Sequence, residues 1–208
     1  MVFEYEKNIL KNVSRETIEN LKRYRSILNE WQEKMNLVSK NSLSDAWNRH
    51  FLDSAQLSEY IDEKAKLIYD FGSGAGFPAL VLAIIFKEKN PNTEFVLVES
   101  IRKKSLFLNE IIEKFNLNAK VINDRIENIK LPCADYITAR ALSSLDNLFE
   151  YVKPFCNENT NCLFLKGKTY QEEIENAGKK WSFFIKVEQN KLSKEGVILQ
   201  IRNIRRKK

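Results

Sequence analysis

The sequence predicts an α/β protein with a mostly parallel sheet of seven strands and a helical N-terminal extension. Seven short β-rich runs follow one another after residue 66, and stretches of helical character separate most of them. Such alternation is typical of parallel strands joined by crossover helices. The residues before this region show only helical periodicity. We therefore divide the chain into a helical extension, residues 1–62, and an α/β domain, residues 63–208.

The N-terminal extension is predicted to contain two amphipathic helical stretches. After Ser14, a suitable N-cap, apolar residues recur at steps of three and four. This stripe consists of Ile18, Leu21, Tyr24, Leu28, Trp31 and Met35. The second stretch, residues 43–60, places Trp47, Phe51, Ser54 and Leu57 along one side.

The predicted strands are the runs KLIYDF, EFVLVES, AKVIND, DYITAR, CLFLKG, WSFFIKVEQN and EGVILQIR. Only a few residues join the last two runs. A connection of that length forms a hairpin and is too short for a parallel crossover. We therefore expect one antiparallel strand near the end of an otherwise parallel sheet.

The composition restricts the classes of function. The chain has 208 residues, 43% of them hydrophobic and 30% charged, as expected for a folded protein with one substantial core. Its longest apolar run, residues 79–86, is far shorter than the roughly 20 residues that span a bilayer. Glu4 and Glu6 stand where a secretion signal would be basic. We therefore expect a cytoplasmic protein without a membrane partner.

The cysteines and the net charge lead to two further expectations. Cys133, Cys156 and Cys162 form no C-x-x-C pair, so the sequence predicts buried free thiols rather than a disulfide framework or a metal site. The formal net charge of +6 favours an anionic partner such as nucleic acid. A lysine-rich surface that is only solvated is the alternative.

The stretch YDFGSGAGFP, residues 69–78, contains three of the six glycines in the chain. It leads from a strand into a helix with Pro78 in the first turn, and glycines in such a loop let a nucleotide approach the backbone. The spacing G-x-G-x-G is not the dinucleotide fingerprint G-x-G-x-x-G, because Phe77 stands at the third glycine position. No G-K-[ST] of a Walker loop follows.

Asp70 with Gly72, Gly74 and Gly76 resembles the first motif of the Rossmann-like methyltransferases that use S-adenosylmethionine. In that class, the acidic residue and the glycines receive the amino-acid end of the cofactor. A carboxylate suits the ammonium and sulfonium of this cofactor better than it suits a pyrophosphate. A tight strand-to-helix turn without a ligand is the alternative interpretation.

Glu99 ends the second predicted strand. An acidic residue at this position binds the ribose hydroxyls of a nucleotide in many proteins with parallel sheets. Taken alone, Glu99 is equally well explained as a solvated strand end. Together with the glycine loop, it predicts recognition of an adenosine group.

Further segments narrow the class to one family. They are MNLVSK at 35–40, RHFLDS at 49–54, DFGSGAGFP at 70–78, KKSLFL at 103–108, DRIENI at 124–129, ARA at 139–141 and LKG at 165–167. In this order they resemble the bacterial RsmG family, also called glucose-inhibited division protein B, the 16S ribosomal RNA guanine-N7 methyltransferases. The resemblance covers residues 36–167, which is most of the chain.

The resemblance implies S-adenosylmethionine as cofactor and 16S ribosomal RNA or the small ribosomal subunit as partner. It implies that Gly72 and Phe77 line the cofactor site and that Ile126 and Glu127 flank the adenine. It places Arg140, the catalytic residue, near the methyl group. The sequence departs from the family pattern at Ser73, Ala79, Arg102 and Ala139, of which only Arg102 bears on the shape of the loop after Glu99.

Guanine N7 has a lone pair and no proton, so its methylation requires no general base. Catalysis would then come mainly from holding the reacting atoms in line, which supplies roughly 7 to 11 kcal/mol at best. N7 faces the deep, narrow groove of an RNA helix, so we expect an unpaired or extruded guanine as target. We expect Phe77 and Arg140 to close the pocket around it.

Two sets of residues are candidates for RNA contacts. Asn36, Arg49 and His50, with Asp53, are candidates for the substrate pocket, although they would also serve to tie the extension to the α/β domain. The second set consists of basic side chains that would bind phosphates. Its members are Arg102, Lys103, Lys104, Lys166, Arg202, Arg205, Arg206, Lys207 and Lys208.

Three other functions fit parts of the pattern. An oxidoreductase would carry G-x-G-x-x-G, and an RNA-binding protein without activity would be expected to have a degenerate glycine loop. A methyltransferase that acts on protein or on another base is a closer rival. Against methylation of an exocyclic amine, ARA follows the fourth strand where an N/D-P-P-Y/F motif would stand. We expect the protein to be a monomer.

Overall fold

The computed structural model describes the backbone of residues 2–208 and the side chains of residues 6–39 and 41–208. Its centre is a seven-stranded sheet with the order β3-β2-β1-β4-β5-β7-β6. The strands are β1 (Leu67–Phe71), β2 (Glu94–Val98), β3 (Ala119–Ile122), β4 (Tyr136–Arg140), β5 (Asn161–Lys166), β6 (Trp181–Gln189) and β7 (Val197–Arg206). Strands β1 to β5 pair in parallel, whereas β7 runs antiparallel to both β5 and β6. The predicted sheet with one antiparallel strand is confirmed.

Helices cover the sheet and form the N-terminal extension. They are α1 (Val2–Ile9), α2 (Arg15–Gln32), α3 (Lys40–Leu43), α4 (Asp53–Ala55), α5 (Ala79–Lys89), α6 (Arg102–Phe115), α7 (Leu145–Val152) and α8 (Tyr170–Lys180). Among the helices of residues 2–208, none is both long and apolar enough to cross a membrane.

The predicted stripe of α2 is confirmed by burial as far as Trp31, whereas Met35 follows the end of the helix. Ser14 caps the helix by accepting a hydrogen bond from the backbone N–H of Thr17 at 3.2 Å. Leu21, Tyr24 and Leu28 have no exposed surface. They share one apolar core with α5, whose first eight residues are all buried. Because α5 lies between the sheet and the extension, it is apolar on every face.

The second predicted helical stretch is helical but irregular. A π-helical turn, Trp47–Leu52, leads into α4, and a 3₁₀ turn, Gln56–Tyr60, follows. Single π-helical turns within helices are often found at functional sites. Here the segment brings His50 and Asp53 to the end of β4, where both contact Arg140.

Parallel strands place their carboxyl ends at one edge of the sheet. The glycine loop after β1, Glu99 after β2, Arg140 in β4 and Lys166 in β5 therefore lie along the same edge. We call it the carboxyl edge. Both cavities of the candidate active site open at this edge.

Candidate active site

Two adjoining cavities open at the carboxyl edge. The smaller, of about 310 Å³, lies between the glycine loop, the end of β2 and the 3₁₀ turn Ile126–Asn128, and we call it the glycine-loop cavity. The larger, of about 950 Å³, lies between the π-helical turn, the ends of β4 and β5, and the loop between β6 and β7. Ala141 and Leu142 line both cavities. The arrangement can therefore hold two different molecules side by side.

Gly72 and Gly74 line the glycine-loop cavity. The two positions require a glycine for different reasons. Both have positive φ, 69° and 57°, which other residues adopt only with strain. A Cβ atom on Gly72 would lie 2.5 Å from Leu142 Cδ1. On Gly74, the nearest atom would be 3.8 Å away, so there the backbone conformation alone requires glycine.

Gly76 and Phe77 do not line this cavity, and their contact with the cofactor stays a prediction. A Cβ atom on Gly76 would lie 2.5 Å from both Tyr24 Oη and Leu80 Cδ1. Phe77 is 4% exposed, and its ring stacks on the rings of Tyr24 and His50 at centroid distances of 5.7 and 5.0 Å. The end of the glycine loop thus seats the loop on the extension.

Asp70 is buried beneath the glycine loop with one unsatisfied oxygen. Its Oδ1 accepts a hydrogen bond from Thr138 Oγ1 at 2.7 Å, whereas Oδ2 is buried and has no partner. Burial raises the pKa of Asp70 to about 6, although hydrogen bonds from Ser73 and Thr138 oppose the shift. A buried carboxylate with a free oxygen is a site that fits a cation.

Glu99 is held in a fixed orientation at the wall of the glycine-loop cavity. Its Oε2 accepts from the backbone N–H of Gly74, and its Oε1 accepts from the backbone N–H of Ile101, both at 2.8 Å. The residue is 5% exposed, so it is not a solvated strand end. A carboxylate has about four acceptor positions, and those not used by the backbone suit the two hydroxyls of a ribose.

Ile126 and Glu127 line the same cavity, as the resemblance implies. Residues that were not predicted for this cavity also line it: Val98, Ser100, Lys104, Asp124, Arg125, Ala141, Leu142 and Tyr151. Lys104 had been assigned to RNA phosphates. Asp124 and Arg125 stand in the motif DRIENI and could have been predicted from it. Tyr151 lies in α7, where no sequence motif indicates a role in the cavity.

The guanidinium of Arg140 is fixed at the wall of the large cavity. Nη1 donates to the backbone oxygen of Arg49 at 3.0 Å and to Asp53 Oδ2 at 3.4 Å, and Nη2 donates to His50 Nδ1 at 2.8 Å. The guanidinium carbon lies 5.0 Å from the centroid of the Phe77 ring. These contacts leave two of the five guanidinium donors for a substrate.

His50 lies behind Arg140 and does not line the large cavity. Burial and the nearby guanidinium groups of Arg140 and Arg49 lower the pKa of His50 to about 3, so the ring is neutral at physiological pH. Because an arginine only donates, Nδ1 of His50 accepts and the ring proton is on Nε2. His50 and Phe77 together support Arg140. Because Phe77 is only 4% exposed, it does not offer the stacking surface for a guanine that we had expected.

Asp53 connects Arg140 to a residue that the sequence did not suggest. Asp53 Oδ1 accepts from Asn190 Nδ2 at 2.6 Å and from Gln56 Nε2 at 3.0 Å. Burial raises the pKa of Asp53, while the hydrogen bond from Asn190 and the charge of Arg140 oppose this. Asn190 stands in the β6–β7 loop, in no recognisable motif, so sequence reasoning missed it.

The other predicted RNA contacts are distributed unevenly. Arg49 lines the large cavity, but Asn36 is exposed in the connection between α2 and α3, outside both cavities. Lys166 lines the large cavity, yet its Nζ is already bonded to the backbone oxygen of Ser143 at 2.6 Å and to Glu173 Oε2 at 2.7 Å. Lys166 therefore fixes the loop after β4 and has little freedom to reach a phosphate. Arg102 and Lys103 are exposed at the start of α6 and line neither cavity.

The basic C-terminal residues lie far from the cavities. Val197, at the start of β7, pairs with Lys166, whereas Arg206 at its end pairs with Trp181. Nine residue steps at about 3.3 Å each separate the two ends by roughly 30 Å. Arg206 also forms an ion pair with Glu150. Their predicted contribution to the RNA surface at this site is therefore not supported.

The architecture defines the class of protein. The S-adenosylmethionine-dependent methyltransferase from Aquifex aeolicus matches the structure with a TM-score of 0.58 at 17% identity, over 75% of this chain and 92% of its own. An O-methyltransferase from Bacillus cereus matches with a TM-score of 0.60 at 15% identity, over 98% of this chain and 100% of its own. The fold is that of the S-adenosylmethionine-dependent methyltransferases.

Sequence similarity narrows the class. The family model of rRNA small subunit methyltransferase G, GidB, matches residues 17–203. Proteins named ribosomal RNA small subunit methyltransferase G from Bartonella tribocorum and Parvibaculum lavamentivorans are 42% and 40% identical, over 95% and 94% of this chain and 93% and 87% of their own lengths. The chain belongs to the rRNA small subunit methyltransferase G family, and the resemblance found in the motifs is confirmed.

Proposed function

We propose that this protein transfers a methyl group from S-adenosylmethionine to N7 of one guanine in the 16S ribosomal RNA of the small ribosomal subunit. Membership of the rRNA small subunit methyltransferase G family supports the reaction class and the RNA. The observation that carries the proposal is the pair of cavities that meet at Ala141 and Leu142, with Arg140 at the wall of the larger one. We also propose that the protein acts as a monomer in the cytoplasm.

The residues in and around the glycine-loop cavity fit S-adenosylmethionine. Asp70 does not line the cavity and is 1% exposed, but its unpartnered Oδ2 suits the cationic amino-acid end, and the remaining acceptor positions of Glu99 suit the ribose hydroxyls. Ile126 offers an apolar side chain beside Glu127 for the adenine. Bound here, the cofactor supplies an electrophilic methyl group on its sulfonium.

The titratable groups bonded to Arg140 and Lys166 suit a nucleophile that carries no proton. His50 is neutral and its Nδ1 is occupied by Arg140, and Asp53 and Glu173 are both occupied by cationic partners. These groups are poorly placed to remove a proton from an exocyclic amine. Guanine N7 requires no such step, so positioning is sufficient for the reaction.

Arg140 would orient the target guanine. Arginine is the side chain that most often contacts O6 and N7 of guanine. With N7 left free to react, one remaining guanidinium donor would bind O6. Because the guanidinium is anchored by Asp53, His50 and the backbone of Arg49, it orients the base without rearranging.

The test is a methylation assay with S-adenosylmethionine carrying a radiolabelled methyl group and small ribosomal subunits from a strain without this activity. Label at one guanine, located by chain cleavage that responds to N7 methylation, is the expected result. Large ribosomal subunits serve as the control substrate, and naked 16S RNA tells whether an assembled subunit is required. Cofactor binding without any labelled RNA would overturn the substrate assignment. Label at an exocyclic amine would overturn the choice of N7.

A further inference from the structure

The loop between β6 and β7, residues 190–196, lies at the carboxyl edge, since Val197 pairs with Lys166, and it borders the large cavity. It contacts the extension there, because Lys191 N donates to Gln56 Oε1 at 3.1 Å and Lys191 Nζ pairs with Glu59. Asn190, at the start of the loop, lines the cavity and is only 7% exposed. A buried amide needs hydrogen-bond partners on both of its ends, and these partners define what it holds in place.

The oxygen and the nitrogen of the Asn190 side-chain amide bind different parts of the chain. Oδ1 accepts from the backbone N–H groups of Leu192 at 2.8 Å and Ser193 at 3.1 Å, which closes the turn of the loop. Nδ2 donates to Asp53 Oδ1 at 2.6 Å. The other carboxylate oxygen, Asp53 Oδ2, lies 3.4 Å from Arg140 Nη1. One amide thus joins the loop to the carboxylate that anchors the arginine.

We propose that Asn190 is a positioning residue for Arg140, which acts by keeping the carboxylate of Asp53 ionised and aligned with the guanidinium. The inference rests on the proposed function, since it gives Asn190 a part in the methylation of RNA. Asn190 itself touches neither reacting group. Its influence passes through one hydrogen bond and one ion pair.

The charges around Asp53 make this hydrogen bond important. Burial raises the pKa of Asp53 and thereby favours the neutral acid, whereas Asn190 Nδ2 and Arg140 favour the carboxylate. The other charged or titratable groups packed around this pair are His50 and Arg49 from the π-helical turn, Asp70 from β1, Tyr24 from α2 and the Lys191–Glu59 pair. Because His50 is neutral, Arg140 and the side-chain amides of Asn190 and Gln56 are the groups that stabilise the charge on Asp53.

Asn190→Asp separates this role from the closing of the loop. The substituted side chain keeps an oxygen for the N–H groups of Leu192 and Ser193 but replaces the Nδ2 donor with a second oxygen. Two carboxylates at the 2.6 Å separation of the present hydrogen bond do not both ionise and would share a proton. The charge facing Arg140 is then reduced at neutral pH. Asn190→Ala removes the donor and the loop contacts together.

The experiment measures kcat and KM for small ribosomal subunits between pH 5 and pH 9, with the wild type and both variants. In the wild type, activity falls at acid pH as Asp53 is protonated. We expect the acid limb of the kcat profile to move upward by about one pH unit or more in Asn190→Asp, because a hydrogen bond to a carboxylate lowers its pKa by about that amount. Carbon-13 NMR of the Asp53 carboxyl group should show the same displacement.

Asn90→Ala is the matched control. Asn90 also closes a loop through its amide, since Oδ1 accepts from Asn92 N at 3.1 Å and Nδ2 donates to the backbone oxygen of Glu63 at 2.8 Å. No carboxylate is among its hydrogen-bond partners. This variant should lose stability and keep the pH profile of the wild type.

If the Asn190 variants lose stability like Asn90→Ala and keep the wild-type pH profile, Asn190 only closes its loop and the inference is wrong. A wild type that methylates no subunits would overturn the proposed function instead. In that case the NMR titration still decides on the contact, because an Asp53 pKa that is equal in the wild type and Asn190→Asp contradicts the inference.

Discussion

The guanidinium carbon of Arg140 lies 5.0 Å from the centroid of the Phe77 ring. Phe77 follows the glycine loop, and Arg140 ends β4, so this contact connects the end of the glycine loop with the wall of the large cavity. The Phe77 ring also stacks on the rings of Tyr24 and His50. The extension therefore supports both the glycine loop and the arginine, which explains why an α/β domain that carries the whole sheet also needs the N-terminal helices.

Replacing Arg140 with lysine should reduce kcat by about 100-fold, because small misplacements of reacting groups cost rates of this order. Lysine keeps the positive charge but not the planar fork that bonds Asp53, His50 and the Arg49 backbone at the same time. The affinity for S-adenosylmethionine should change little. Single-turnover methylation and calorimetric titration of the cofactor measure the two effects separately.

Arg206→Lys is the control for this substitution. Arg206 also lies over an aromatic ring, 5.4 Å from the centroid of Trp181, and also pairs with a carboxylate, that of Glu150. It stands at the opposite edge of the sheet. Equal losses of kcat in the two variants would mean that the effect of Arg140→Lys is a general loss of stability.

Asp70→Asn should make the protein more stable at alkaline pH. Burial raises the pKa of Asp70 from 3.8 to about 6, so the folded state binds a proton more tightly than the unfolded state. The stability that comes from this proton is complete below pH 4 and is lost as the pH rises through 6, a cost of ~3 kcal/mol above that pH. Asparagine does not ionise, so the variant does not lose this stability as the pH rises. Thermal unfolding at pH 8 and pH 4 should show a higher Tm for the variant only at pH 8.

The same variant should bind S-adenosylmethionine at least about tenfold more weakly, because a hydrogen bond to a charged group contributes about 1.5 to 3 kcal/mol. Glu19→Gln is the control, since Glu19 is an exposed carboxylate paired with Lys22 at 2.9 Å. It should change neither the pH dependence nor cofactor binding. An Asp70→Asn protein that is less stable than the wild type at pH 8 would contradict the assignment of the unpartnered oxygen.

Much of the fold was predictable because its signals are local. Each of the seven strands is a short run of β-branched, aromatic and other apolar residues. The N-cap Ser14 and the apolar stripe of α2 predict that helix. The proximity of Asp70, Gly72, Gly74 and Glu99 was predictable because they stand at strand ends that parallel pairing brings together, and their role as a cofactor site stays a prediction. Here sequence spacing and sheet geometry agree.

The remaining differences come from contacts between distant parts of the chain. The sequence alone does not tell that Tyr24 covers Gly76 and Phe77, or that Glu173 occupies Lys166. The position of Arg206 is a different case. An antiparallel last strand was predicted, and its direction already implies that its end lies away from the carboxyl edge.

Gly72→Ala should destabilise the protein through a contact that a second substitution relieves. Its Cβ atom would lie 2.5 Å from Leu142 Cδ1, so Leu142→Ala should recover part of the loss. Gly74→Ala has a comparable positive φ without the close contact, and Leu142→Ala should not rescue it. Chemical denaturation of the single and double variants gives the coupling energy, which we expect to be about 1 kcal/mol for the first pair only.

Gly178→Ala is the control for the glycine series. Gly178 lies inside α8, where an added Cβ atom meets nothing within 4 Å. Alanine should stabilise this helix by about 0.5 to 1 kcal/mol. A coupling energy near zero between positions 72 and 142 would mean that the loop after β4 moves aside freely.

Arg102 and Lys103 provide the test of how RNA approaches the site. Both are exposed at the start of α6, next to the loop that follows Glu99, and changing both to alanine should weaken RNA binding and reduce its dependence on salt. The slope of log K against log salt should become shallower by about 1 to 2, since each phosphate contact contributes about 0.7 to 0.9. Filter binding of 16S RNA at several salt concentrations measures it.

The control variant changes Arg205 and Lys208 to alanine. It also removes two positive charges, but from the end of the chain that lies away from the carboxyl edge. A general attraction by net charge would reduce the binding of RNA equally in the two double variants. A surface at the carboxyl edge predicts a loss for Arg102 and Lys103 alone, because the end of β7 lies roughly 30 Å from that edge, beyond the Debye length of about 10 Å at 0.1 M salt. Equal slopes in the two double variants would therefore rule out the start of α6 as the contact for RNA phosphates.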